Sequence, residues 1–150
     1  MTNRAEFFHA AVRMSLAAAY NILAKGKPAD FVDFRSIPVT VFTIPPAAYV
    51  GYTEEQLRAM NVSYVSAEYD MRRDAMAQMY DEMGGMLMLY FERGSLRLLG
   101  SWIVGVHAGY VINEIGLAFS RGLTARDLAS FADQHPATNE LVAYTARKVL

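Results

Sequence analysis

The segment from His135 to Glu140, with the sequence HPATNE, carries the side chains best suited to acid–base chemistry. Because a proline restricts the residue before it to extended backbone, His135 is predicted to lie in a loop outside the following helix. Glu140 is expected near the first turn of that helix, where its carboxylate could accept from one imidazole nitrogen and make the other more basic. The alternative is a solvated histidine with an incidental acidic neighbour, since 15 of the 150 residues are acidic.

Other common chemistries have little support in the sequence. The three histidines, His9, His107 and His135, do not show metal-ligand spacing, so no metal site is predicted. With no cysteine, the chain itself has no disulfide, catalytic thiol or redox dithiol. Gly84 and Gly85 lack the spacing of a phosphate-binding loop, and no strong Ser-His-Asp signature is present. Since the lack of cysteine fits a reducing compartment, we expect a cytoplasmic protein.

A helix is predicted over residues 4–24, ended by Gly26 as a C-terminal cap and by Pro28. One of its faces is apolar and is predicted to pack against the core. This face consists of Phe8, Val12, Leu16 and Leu23.

The middle of the chain predicts an antiparallel sheet. Strands are expected at 39–43 and 62–69, and a hairpin is expected from the apolar runs 86–91 and 96–106, which a polar turn joins. Thr53 and Gln56 form a capping box for a helix to about residue 60. The methionine-rich segment 71–88 is ascribed to core packing, with a small-molecule site as a minor alternative.

Helices dominate the last third of the sequence. One is expected from about Val111 to Gly122, and a short one from Thr124 with Asp127 as its capping partner. Thr138 or Asn139 is predicted to cap a final helix. The predicted order of elements favours an α+β fold, in which helices cover one side of an antiparallel sheet. This order is a helix, strands, a short helix, further strands and then helices.

Composition limits the class of partner. The 150 residues amount to one domain, and 53% hydrophobic residues suffice for one core. A net charge of -1 disfavours nucleic-acid binding. The apolar run 98–119 contains His107, Asn113 and Glu114, so we expect no membrane span.

Residues 37–149 resemble the C-terminal dimerisation domain of the pyridine nucleotide-disulfide oxidoreductases, the flavoenzymes that include dihydrolipoamide dehydrogenase, glutathione reductase and mercuric reductase. The matching segments occur in the family's order along the chain. They are Phe42-Thr43-x-Pro45, Ala48-x-Val50-Gly51-x-Thr53-Glu54, Leu99-Gly100 with Ile103-Val104-Gly105 and Ala108, Gly122-Leu123-Thr124 with Asp127-Leu128-Ala129, and His135-Pro136 with Glu140. The chain departs from the family pattern at Pro46, Met88, Tyr110, Ala137 and Asn139.

The resemblance implies a domain that pairs two subunits into a homodimer. In such enzymes the loop histidine, here His135, acts in the partner subunit's active site as acid–base partner to the redox thiols, and Glu140 orients it. The backbone at His135 and Pro136 would contact the partner's flavin. The resemblance therefore assigns residues 1–36 to a helix and linker at the end of a flavin domain, and residues 37–150 to the dimerisation domain.

The complete enzyme would use FAD and NAD(P) in cell redox homeostasis. This chain lacks both dinucleotide-binding folds and the family's flavin-contacting segment, and is expected to begin just downstream of that segment. We therefore expect it to bind no cofactor and to be inactive alone. The alternative is a stand-alone homodimerisation module, or one that pairs with a separate flavin-domain polypeptide. The aromatic residues Phe42, Trp102, Tyr110 and Tyr144 are candidates for the dimer interface.

Overall fold

A five-stranded antiparallel sheet lies at the centre of the computed structural model, which describes residues 4–25 and 27–150. Its strands are β1 (Val39–Val41), β2 (Ala47–Gly51), β3 (Tyr64–Asp70), β4 (Met86–Glu92) and β5 (Leu98–Val104), in the spatial order β1-β2-β5-β4-β3. The helices are α1 (Phe8–Leu23), α2 (Glu54–Ala59), α3 (Ala75–Met79), α4 (Ala108–Ser120), α5 (Ala125–Ser130) and α6 (Glu140–Ala146). The α+β class predicted from the sequence is confirmed.

The main core lies between one face of the sheet and two helices. Helix α4 contacts β1, β2 and β5, whereas α6 contacts β3 and β4, so the two helices divide this face between them. Strand side chains alternate between faces, and β4 directs Leu87, Leu89 and Phe91 into this core, where all three are fully buried. A smaller cluster with Leu57 of α2 at its centre covers part of the opposite face.

Local capping signals were predicted correctly. Thr53 and Gln56 form the reciprocal capping box of α2. Thr124 and Asp127 do the same for α5. The β4–β5 hairpin also agrees with the prediction.

The start of the final helix differs from the prediction. Neither Thr138 nor Asn139 caps α6 with its side chain, because Thr138 bonds instead to His107, just before α4, and Asn139 bonds to Glu114 of α4. Strand β1 ends at Val41, two residues before the predicted end. Strand β2 was not predicted as a strand.

Helix α1 does not pack as predicted. Phe8 is 86% exposed and Leu23 is 77% exposed, and Val12 and Leu16 also face outward, while Ala10 and Ala17 are the buried residues of the helix. Polar contacts hold the inner side instead, including paired bonds from Arg13 to Asp30 of 2.6 Å. The predicted cap Gly26 lies outside the described residues.

The methionine-rich segment 71–88 contributes only partly to the core, since Met71 is fully buried and Met79 is exposed.

None of the helices described is long and apolar enough to cross a membrane.

Candidate functional site

His135 lies in the loop between α5 and α6, and Glu140 is the first residue of α6. The peptide bond between His135 and Pro136 is cis. The imidazole Nδ1 is 3.1 Å from Oε1 and 3.0 Å from Oε2 of Glu140. The structure thus places His135 and Glu140 in contact, as their spacing in the sequence predicts.

The contact determines the histidine tautomer. An ionised carboxylate only accepts hydrogen bonds, so Nδ1 of His135 must carry the proton and donate it to Glu140. Nε2 is then the nitrogen that can accept or deliver a proton. Because the His135 side chain is 72% exposed, against 12% for Glu140, the imidazole is accessible while its partner is sheltered.

Two further donors hold the Glu140 carboxylate. The Ala137 amide donates to Oε2 at 3.1 Å, and the Tyr144 hydroxyl donates to Oε1 at 3.2 Å. Burial alone would raise the pKa of Glu140, but the bonds from Ala137, His135 and Tyr144 outweigh it and lower the pKa below its usual value. Glu140 therefore stays ionised and keeps His135 in the donating tautomer.

The sequence analysis proposed Tyr144 only for the dimer interface and missed its bond to Glu140, although a helical residue four positions after Glu140 lies on the same face of the helix. Its ring stacks on Tyr69 of β3, with centroids 6.0 Å apart. This stacking packs Tyr144, which donates to the Glu140 carboxylate, against the sheet.

A shallow cleft of about 380 Å³ opens beside the pair. It is lined by Tyr69, Arg73, Asp74, Ala75, His135, Glu140, Tyr144 and Lys148. The side chains of Arg73 and Lys148 both lie over the Tyr69 ring, 5.8 and 5.6 Å from its centroid.

In the same loop, burial raises the pKa of the Asp133 carboxyl, and the nearby charge of Glu140 raises it further, against the opposing effect of Arg147. The loop that carries His135 is therefore flanked by acidic groups.

The four aromatic residues proposed for the dimer interface do not form one cluster. Phe42 and Tyr110 line the same groove, which has a volume of about 780 Å³ and lies between α1, β1 and α4. Trp102 lies on the opposite face of the sheet, where its indole donates to the Tyr90 hydroxyl at 3.0 Å. Tyr144 belongs to the support of Glu140.

The family match and the curated relatives of this chain point to the same protein family. Residues 37–146 match the pyridine nucleotide-disulphide oxidoreductase dimerisation domain. Dihydrolipoyl dehydrogenase of Bacillus subtilis is 32% identical over 121 residues, which cover 81% of this chain and 26% of that protein. Leghemoglobin reductase of Vigna unguiculata is 31% identical over 115 residues, which cover 77% of this chain and 22% of that protein.

Solved structures agree in fold. LpdA from Mycobacterium tuberculosis superposes with a TM-score of 0.81 at 25% identity, covering 89% of this chain and 28% of that one. The HOCl-induced flavoprotein disulfide reductase RclA from Escherichia coli, solved as a Cu(II) complex, gives a TM-score of 0.86 at 22% identity, covering 97% of this chain and 33% of that one.

The chain spans about a quarter of the length of the curated relatives that it matches. The match of the dimerisation domain covers most of the chain, and the relatives align over the same region. Members of this family are flavoproteins that use FAD with NAD(P). The chain therefore belongs to the dimerisation-domain family of the pyridine nucleotide-disulphide oxidoreductases.

Proposed function

We propose that this chain is the dimerisation domain of an FAD-dependent NAD(P)-disulfide oxidoreductase and supplies the His135–Glu140 pair to the active site of its partner subunit. The observation that carries the proposal is the contact between an exposed imidazole and a sheltered carboxylate that three donors hold. The 150 residues contain no cysteine, so any thiol on which the pair acts lies outside them. The exposure of His135 leaves its imidazole accessible to such thiols, including those of a partner subunit.

The geometry supports a separate role for each residue. Nε2 of His135 takes the proton of an attacking thiol and later returns one to the leaving thiol. Glu140 stabilises the imidazolium that forms between these two steps, and its lowered pKa keeps it ionised throughout. Both residues work through proton transfer and charge, so they need no cofactor seated in this chain.

The fit of FAD to this chain is limited to an edge contact. The sheet described here is wholly antiparallel, so the described residues offer no unit of two parallel strands joined by a helix, the kind that binds a dinucleotide. His135 and Pro136, both exposed in the loop, are the residues that would touch a flavin held by the partner. When bound there, the flavin supplies the redox chemistry between NAD(P) and the thiols.

Self-association is proposed through the groove between β1 and α4. Phe42 is 88% exposed and Tyr110 is 75% exposed, and both line the groove. Ile44, two positions after Phe42, and Leu117 of α4 are exposed as well. Exposed apolar side chains of this kind are typical of protein–protein interfaces. We propose that two copies of this chain cover the groove as a homodimer, in a cytoplasmic enzyme that maintains thiol–disulfide balance.

Replacing His135 by glutamine in the complete flavoenzyme tests the catalytic role. We expect a loss of NAD(P)H-dependent disulfide reduction of about 100-fold or more, the range of general acid–base catalysis, with unchanged flavin absorption. Arg126→Gln is the control, because Arg126 is an exposed side chain on α5 that lines neither the cleft beside His135 nor the groove proposed for the dimer. A rate unchanged in the His135 variant removes this residue from catalysis.

The proposed dimer interface is tested separately. Tyr110→Glu should convert the chain to a monomer in sedimentation equilibrium, because a dimer would bury the new charge in the groove. Phe31→Glu, an equally large change at an exposed aromatic residue that does not line the groove, should leave the mass unchanged. Dimers that persist in the Tyr110 variant place the interface elsewhere.

A further inference from the structure

Two consecutive residues of the loop, Thr138 and Asn139, are bonded to side chains at the start of α4 and within it. The Thr138 hydroxyl lies 2.9 Å from Nδ1 of His107, the residue that precedes α4. The Asn139 amide donates to the Glu114 carboxylate. His107 lies just before α4 and Glu114 lies within it, so the two bonds join the loop to two separate points along this part of the chain.

The bond between Thr138 and His107 is buried. Thr138 is only 2% exposed, so its hydroxyl cannot bond to water and needs a partner within the protein. The imidazole of His107 packs in turn against Tyr80 and Tyr110 in T-shaped contacts, with ring centroids 5.4 and 5.8 Å apart. The imidazole is therefore a fixed anchor for the loop.

The anchored residues lie within the segment that builds the His135–Glu140 pair. The Ala137 amide binds the Glu140 carboxylate, and the carbonyl of Thr138 accepts from the Leu141 amide in the first turn of α6. A shift of Thr138 would move the Ala137 amide and the start of α6 relative to each other. The carboxylate would then lose its donors together.

We infer that His107 and Thr138 are positioning residues, whose hydrogen bond holds the loop so that Glu140 can orient His135. This inference rests on the proposed function for its catalytic meaning, but the bond and its effect on Glu140 are properties of this chain. Asn139 and Glu114 form a second anchor beside the first.

The test follows the Glu140 carboxyl by carbon-13 NMR during a pH titration of the 150-residue chain. Thr138→Val keeps the side-chain shape and removes the hydroxyl, so the loosened carboxylate should titrate at higher pH, nearer its ordinary value of about 4.3. Thr138→Ser retains the hydroxyl and should restore the wild-type titration. His107→Gly removes the other partner, and glycine tolerates the left-handed backbone found there.

Two controls separate positioning from general loosening. Thr145→Val removes a buried hydroxyl that bonds within α6, so it should leave the Glu140 titration unchanged. Asp127, whose pKa is lowered by its bonds with Thr124, should titrate as in the wild type in every variant. The double variant of His107 and Thr138 should shift Glu140 no further than either single variant, because both remove one bond.

An unchanged Glu140 titration in folded Thr138→Val overturns the inference, as does an equal shift in Thr145→Val. Neither result depends on turnover, so failure of the positioning role is distinguishable from failure of the proposed catalytic function. In the complete enzyme, Thr138→Val should lower kcat and Thr138→Ser should restore it.

Discussion

Replacing Glu140 by glutamine should destabilise the chain in a manner that depends on pH. The carboxylate accepts from Ala137, His135 and Tyr144, whereas glutamine offers one acceptor oxygen and turns an amide donor toward the remaining donors. A bond to a charged group contributes about 1.5–3 kcal/mol when sheltered, and the exposed His135 contact contributes about 0–1. Since the glutamine oxygen retains one bond, we expect a loss of about 1–2 kcal/mol at neutral pH.

The sign of the pH dependence follows from the lowered pKa of Glu140. A carboxyl with a lower pKa in the folded state stabilises the fold above its unfolded pKa, about 4.3, and loses this effect as the pH falls through its folded value. The stability difference between the wild type and Glu140→Gln should therefore be largest at neutral pH and shrink in acid.

Thermal unfolding followed by circular dichroism measures this difference. A loss of about 1–2 kcal/mol corresponds to a fall in Tm of about 2–8 °C for a domain of this size. Glu82→Gln, at an exposed loop carboxyl, is the control and should change Tm little. Equal stability of wild type and Glu140→Gln at neutral pH, or a gap as large in acid as at neutral pH, would refute the assigned contacts.

Three further substitutions test the fold around the site. Phe91→Ala should cost about 3–5 kcal/mol in urea unfolding, because Phe91 is fully buried, whereas Met79→Ala at an exposed position should cost little. Gly100→Ala should destabilise by about 1–3 kcal/mol or more, since its Cβ would lie 2.2 Å from a backbone carbonyl oxygen, while nothing lies near the Cβ of the control Gly84→Ala. Burial raises the pKa of Glu114, against its bond from Asn139, so wild-type stability relative to Glu114→Gln should fall as pH rises through that pKa. A difference that grows in the opposite direction contradicts the burial of this carboxyl.

The features predicted from sequence are those set by neighbours along the chain. The capping boxes at Thr53 and Thr124 involve residues three positions apart, and His135 and Glu140 are five apart. For such pairs local backbone geometry nearly determines the contact. The same holds for the β4–β5 hairpin, whose strands a short polar turn connects.

The features that were missed depend on distant parts of the chain. Thr138 is the right residue type for a helix cap, yet its hydroxyl bonds to His107, 31 positions away, once the fold brings the loop before α6 next to the start of α4. The apolar stripe of α1 has helical spacing, but spacing does not tell which surface covers it. Strand β2 has two alanines and a glycine in five residues, so its strand propensity is weak. Its pairing with β1 and β5 determines its conformation instead.

A mixed-dimer experiment on the complete flavoenzyme tests the central claim most directly. One subunit carries His135→Gln with intact redox thiols, and the other has intact His135 but lacks a thiol. If His135 serves the partner's active site, the mixed dimer holds one intact site, and random reassembly of equal amounts should recover roughly a quarter of wild-type activity. If each histidine serves its own subunit, both sites are defective in every dimer. Activity no higher than that of the separate variants, despite confirmed subunit exchange, contradicts the account.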